Sequence, residues 1–134
     1  VTETETETGT TYLPHHMGVE FDRVEHGSVT ASLQVKQHHL APNGYMHAGT
    51  VVTLADSACG YGCTASLPEG ARTFTTVELK SNFLGTALEG SIVCEARLVH
   101  AGRSTQLWDA EVTHRDTGKR IALFRCTQMI LYPR

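Results

Sequence analysis

With 134 residues, 40% of them hydrophobic, the chain has the size and composition of one domain with a buried core. A formal net charge of -3 excludes a basic field for holding nucleic acid or an anionic membrane surface, so neither is expected as a partner. No apolar run approaches the roughly 18 residues of a membrane span, and the first residues show no charged-then-apolar signal pattern.

The polar, acidic opening VTETETETGT predicts a disordered leader over residues 1–14, followed by a single domain over residues 15–134. From Met17, MGVEFDRVE and SVTASLQVK alternate in hydrophobicity around His26-Gly27, which predicts a β-hairpin. In the second run Val29, Ala31, Leu33 and Val35 share one face. His15-His16 and His38-His39 read as loop or surface residues, because neighbours on a strand point oppositely and seldom chelate one ion.

Pro42 and Asn43-Gly44 then signal a turn. The segment from His47 to Ser66 predicts a helix about 30 Å long, ended by Leu67-Pro68-Glu69-Gly70. Four strand-like runs follow, TFTTVELKSNF, GSIVCEARLVHA, RSTQLWDAEVTH and KRIALFRCTQMIL, the last three forming a meander. The order predicts an α+β domain with one helix packed on an antiparallel sheet. Cys59, Cys63, Cys94 and Cys126 form no CxxC pair and read as buried, reduced thiols rather than a zinc site, as expected of a cytoplasmic protein.

The predicted helix carries one charge. Between Ala48 and Ser66 only Asp56 is ionisable to an anion at neutral pH, and its neighbours at helical spacing are Val52, Thr53, Cys59 and Gly60. A helix without a charged face must be largely enclosed, by the sheet or by a partner. Gly60 and Gly62 each cost about 1 kcal/mol relative to Ala in a helix, which points to a backbone or ligand close by. Asp56 is then either a carboxylate bonded into an interface or one held for chemistry, and isolated buried acids cluster at active sites.

The helix start offers a second chemical group. Its first N–H groups lack intrahelical partners and the dipole is positive there, so Gly49 is a candidate oxyanion-hole donor. Seven residues separate Gly49 from Asp56, about 10 Å along the axis, too far for one reacting carbonyl to touch both. Two antiparallel helices across a twofold axis could pair one chain's helix start with the other's acid, giving a site shared within a dimer.

The stretch NGYMHAGTVVTLADSACG, with VELKSNFLG in the next strand and the element order, resembles the hotdog-fold acyl-CoA thioesterases, and most nearly their phenylacetate-pathway (PaaI-like) branch. Gly44, His47-Ala48-Gly49 and Asp56 fit that branch's pattern of a glycine, a His-Gly-Gly and a carboxylate nine residues after the His. The resemblance implies a hotdog fold, in which one long central helix is wrapped by a long antiparallel sheet. It implies hydrolysis of an acyl- or aryl-CoA thioester to free acid and coenzyme A. Asp56 would be general base or nucleophile, Gly49 or Ala48 the oxyanion donor, and His47 would orient the carbonyl. Thr76, or Thr75 in its place, would position water.

Two departures stand out: Ala48 replaces a glycine, and Ala41 stands where relatives often carry Asn or Gln, with Asn43 as the substitute. Lys80, Arg97 and Arg103 are candidates for the coenzyme A phosphates, or are solvated strand charges. Gly60, Tyr61 and Cys63 would shape the acyl pocket. By the resemblance the protein is a homodimer with shared sites, and two dimers form a tetramer. The chemistry calls for no metal and no cofactor, coenzyme A being part of the substrate. The competing readings are a 3-hydroxyacyl thioester dehydratase or hydratase, and a non-catalytic acyl-CoA-binding protein.

Overall fold

A computed structural model describes residues 11–134, so the first ten residues of the expected leader lie outside the described residues. Leu13–His16 forms a helical turn (α1), with the Met17 N–H donating to the Leu13 carbonyl at 2.9 Å. A leader boundary after residue 14 therefore cuts through this turn.

The hairpin is β1 (Glu20–Glu25) and β2 (Ser28–Gln34), joined where Gly27 takes φ 78°. That conformation costs glycine little and other residues more. The helix α2 spans Ala48–Ala65, with His47 and Ser66 as its caps rather than its first and last members. The four later runs are β3 (Thr73–Phe83), β4 (Ser91–Ala101), β5 (Thr105–His114) and β6 (Arg120–Leu131). All pair antiparallel in one sheet of order β1-β2-β4-β5-β6-β3. The meander is as expected, whereas β3 pairs with the last strand and forms an edge.

One face of this sheet holds α2. Alternation sets Ala31 and Leu33 of β2, Cys94 of β4, Trp108 of β5 and Phe124 of β6 against Leu54, Ala55 and Ala58 of the helix. Trp108 packs against Gly62, where an added Cβ would collide with the indole. The close approach expected at Gly62 is thus to an indole, not to a backbone or a ligand. The Trp108 Nε1–H donates to Gln106 Oε1, and Gln106 Nε2 donates to the Ser66 carbonyl, both at 2.8 Å. Those bonds satisfy a helix-end carbonyl and pin the end of α2 to β5. All four cysteines are free and buried, and burial pushes Cys63 and Cys94 up to about 12, so both remain thiols at neutral pH. Among the described residues no helix is long and apolar enough to cross a membrane.

His39 departs from the surface reading. It ends a 3-10 turn, Gln37–His39, and is buried. Its Nδ1 accepts from the Lys36 N–H at 2.9 Å, and its Nε2 meets the Met17 carbonyl at 2.7 Å. A carbonyl can only accept, so the proton sits on Nε2 and the ring is neutral. The His39 carbonyl in turn accepts from the Thr50 hydroxyl at 2.9 Å and the His47 N–H at 3.0 Å, tying this turn to the start of α2.

Burial lowers the His39 pKa below its ordinary 6.5. The unfolded imidazole therefore binds a proton more readily than the folded one, and stability falls as pH drops through that value. Urea unfolding at pH 7.5 and 5.5 should show a larger loss for the parent than for His39→Gln, which has no titration there. Equal losses would remove His39 as the cause.

Candidate active site

Asp56 lies midway along α2, on the side turned toward β3 and half-buried. Facing it is Thr76, whose Oγ1 lies 3.5 Å from Asp56 Oδ1 and donates to Gln128 Oε1 at 2.6 Å. Thr76 and Gln128 are paired across β3 and β6. A bulge between Thr76 and Glu78 interrupts β3 at this point, an irregularity that commonly re-aims side chains beside functional sites. Burial pushes the Asp56 carboxyl above the usual carboxylate range. Such a group holds a proton more firmly than a surface aspartate, which suits a general base.

The register separates the two threonines. Thr76 is on the helix side of β3, while Thr75 pairs with Met129 on the outer side and is exposed. Gly60, one turn after Asp56, faces Phe74, where an added Cβ would lie 3.1 Å from the ring.

At the helix start His47 is the N-cap, its Nδ1 accepting from the Gly49 N–H at 2.7 Å. Within one chain the Gly49 amide is therefore taken. The Ala48 amide has no acceptor among the described residues and sits in the exposed first turn. Because Nδ1 accepts, the neutral His47 ring carries its proton on Nε2, free to donate to a carbonyl oxygen. Asn43 uses Oδ1 to accept from the Tyr45 N–H at 3.1 Å, in the turn where Gly44 takes φ 90°.

Of the expected residues, then, one chain brings Asp56, Thr76 and Gly60 together. His47, Ala48 and Gly49 lie at the helix start, about 10 Å along the axis, and Asn43 lies in the turn that precedes it. Lys80 lies on the outer face beside Arg97 and Arg125, lining a groove of about 380 Å³ away from the helix. Arg103 sits in the β4–β5 turn, its guanidinium 5.9 Å from the centre of the Tyr132 ring. Sequence reasoning missed Gln128. The signal was there: in Phe124, Cys126, Gln128 and Ile130 one polar residue occupies an otherwise apolar face.

The β3 edge bears unpaired backbone groups and the exposed apolar side chains Val77, Leu79, Phe83 and Leu84. Edges of that kind invite another strand.

A family model for the thioesterase superfamily matches residues 43–121. A 1,4-dihydroxy-2-naphthoyl-CoA hydrolase of Listeria monocytogenes is 32% identical over 115 residues, covering 86% of this chain and 92% of that protein. An Escherichia coli protein of the same name is 27% identical over 118 residues, covering 86% of this chain and 83% of its own length. Among solved structures, a point variant of a Staphylococcus aureus thioesterase superposes with a TM-score of 0.85 at 28% identity, covering 92% of this chain and 100% of that one. With one long helix against a six-stranded antiparallel sheet, the chain belongs to the thioesterase superfamily and is a thioester hydrolase of the hotdog fold.

Proposed function

We propose that this hydrolase cleaves an aryl- or acyl-CoA thioester to the free acid and coenzyme A, with Asp56 as general base. The observation that carries this reading is a lone carboxylate, desolvated and raised in proton affinity, facing Thr76 at an open sheet edge. Water attacks the thioester carbon as its proton passes to Asp56. The carbonyl oxygen, now anionic, takes hydrogen bonds from the Ala48 amide and His47 Nε2–H, with Gly49 available where a ligand displaces the His47 cap. Collapse breaks the C–S bond, and the Asp56 proton goes to the departing thiolate. That sequence calls on no metal and no cofactor.

The donors belong to the partner chain in this reading. Two protomers pair along β3, which covers Leu79 and Phe83 and brings each helix start to the other chain's Asp56. The roughly 10 Å axial gap supports it. Two such dimers form a tetramer. The resemblance to the phenylacetate-pathway branch and the two naphthoyl-CoA hydrolases both favour an aromatic acyl group. Four free cysteines support a reducing, cytoplasmic setting.

Incubation with 1,4-dihydroxy-2-naphthoyl-, phenylacetyl-, hydroxybenzoyl- and hexanoyl-CoA, with a thiol reagent reporting free coenzyme A, tests the proposal. The aryl thioesters should turn over fastest. No thiol from any of the four would overturn the CoA-thioester reading, and hexanoyl-CoA as the fastest would overturn the aryl preference.

A further inference from the structure

Thr76 has one hydroxyl proton and two oxygens within reach, Gln128 Oε1 at 2.6 Å and Asp56 Oδ1 at 3.5 Å. The shorter contact decides where the proton goes. A separation of 2.6 Å is ordinary for O–H···O and short for N–H···O, so the carboxamide presents oxygen, not nitrogen, to Thr76. Gln128 is 0% exposed, so bulk water does not compete for that oxygen. Its Nε2 has no hydrogen-bond partner among the described residues. Leaving such a donor unsatisfied is costly, a loss that an apolar residue of similar size would avoid. A carboxamide kept at that cost, one contact from the acid, calls for a role.

We infer that Gln128 is a positioning residue for the attacking water. By accepting the Thr76 proton it turns Thr76 Oγ1 toward Asp56 as an acceptor. A water held there donates one hydrogen to the Asp56 carboxylate and the other to Thr76 Oγ1, leaving a lone pair for the thioester carbon. As the C–O bond forms, the first hydrogen moves to Asp56 as a proton. The second stays on the oxygen and leaves with the product acid. Were the Thr76 proton turned onto Asp56 instead, the water would lose its second acceptor and the carboxylate would become a weaker base. The inference rests on Asp56 being the general base.

The test replaces Gln128 with Leu, and with Met as a second, volume-conserving variant in case Leu strains β6. Steady-state kinetics use whichever of the four CoA thioesters above turns over fastest. Gln128→Leu should lower kcat by about 10- to 100-fold, the scale of a misplaced reactant, with KM unchanged. The acid limb of the kcat profile should move to lower pH, because a hydroxyl donating to a carboxylate favours its ionised form. Within one chain the groups beside Asp56 are Thr76 from β3 and Cys59 on α2, whose thiol Cys126 and burial keep neutral. The shared-site reading also brings the other chain's His47 near, so the limb is read as the difference between parent and variant.

In a Thr76→Val background the Gln128 change should add nothing, since its effect passes through that hydroxyl. A Gln128 variant with unchanged kcat and acid limb, beside an inactive Asp56→Asn, would overturn the inference and leave the base intact. So would equal losses in the parent and Thr76→Val backgrounds, the mark of a purely structural role. Full turnover by Asp56→Asn would overturn both.

Discussion

Asp56→Asn should fold as the parent does and hydrolyse thioesters about a hundred- to ten-thousand-fold more slowly. The amide matches the carboxylate in shape and can turn its NH2 toward the Thr76 oxygen, so the helix–sheet contact survives. It also removes an ionisable group that burial disfavours in its charged form, so stability should equal or exceed that of the parent at neutral pH. What it cannot do is take a proton from water. Urea unfolding followed by circular dichroism, beside steady-state release of coenzyme A, separates the two properties. A stable Asn variant with near-normal turnover would remove Asp56 from the mechanism.

Complementation between two inactive variants is the second large effect. Gly49→Val disables the helix start in two ways: it crowds the amide, and its Cβ would lie 3.0 Å from His47 Nδ1, displacing the imidazole. Refolded with Asp56→Asn, it should yield mixed dimers in which one site carries both lesions and the other neither. Random pairing makes about half of the dimers mixed, so activity should return to about a quarter of the parent's. Each variant refolded alone stays inactive. Mass spectrometry establishes that subunits have exchanged; mixed dimers without activity would mean that acid and oxyanion donor come from one chain.

Much of this architecture was legible in the residue pattern, for identifiable reasons. SVTASLQVK alternates cleanly because β2 buries one face, and α2 announces itself by small residues between a turn and Pro68. Strand order was not legible. Alternation specifies which face a side chain takes, not which neighbour its strand finds, so nothing in TFTTVELKSNF marked β3 as an edge beside β6. In the site, Asp56 stood out because it is alone. The choice between Thr75 and Thr76 needed the register across to Gln128. His39 was misread because adjacent residues on a strand point oppositely, whereas this pair sits in a 3-10 turn that carries His39 inward. Gln106 and Gln128 were overlooked because their strands were read for apolar alternation, in which a single amide looks like noise.

Trp108 has a use beyond packing. It is the chain's one tryptophan, fully buried against Gly62, with its N–H held by Gln106. Its emission is therefore a single-site signal for the seat of α2 on β5. With β6 standing between β5 and the open edge of β3, dissociation of the proposed dimer along that edge should leave the indole environment unchanged. Unfolding exposes it to water. The wavelength of emission thus reports loss of the fold and is blind to dissociation, while scattered light reports mass. Diluting the protein and recording both distinguishes a folded monomer from an unfolded one, which neither signal can do alone.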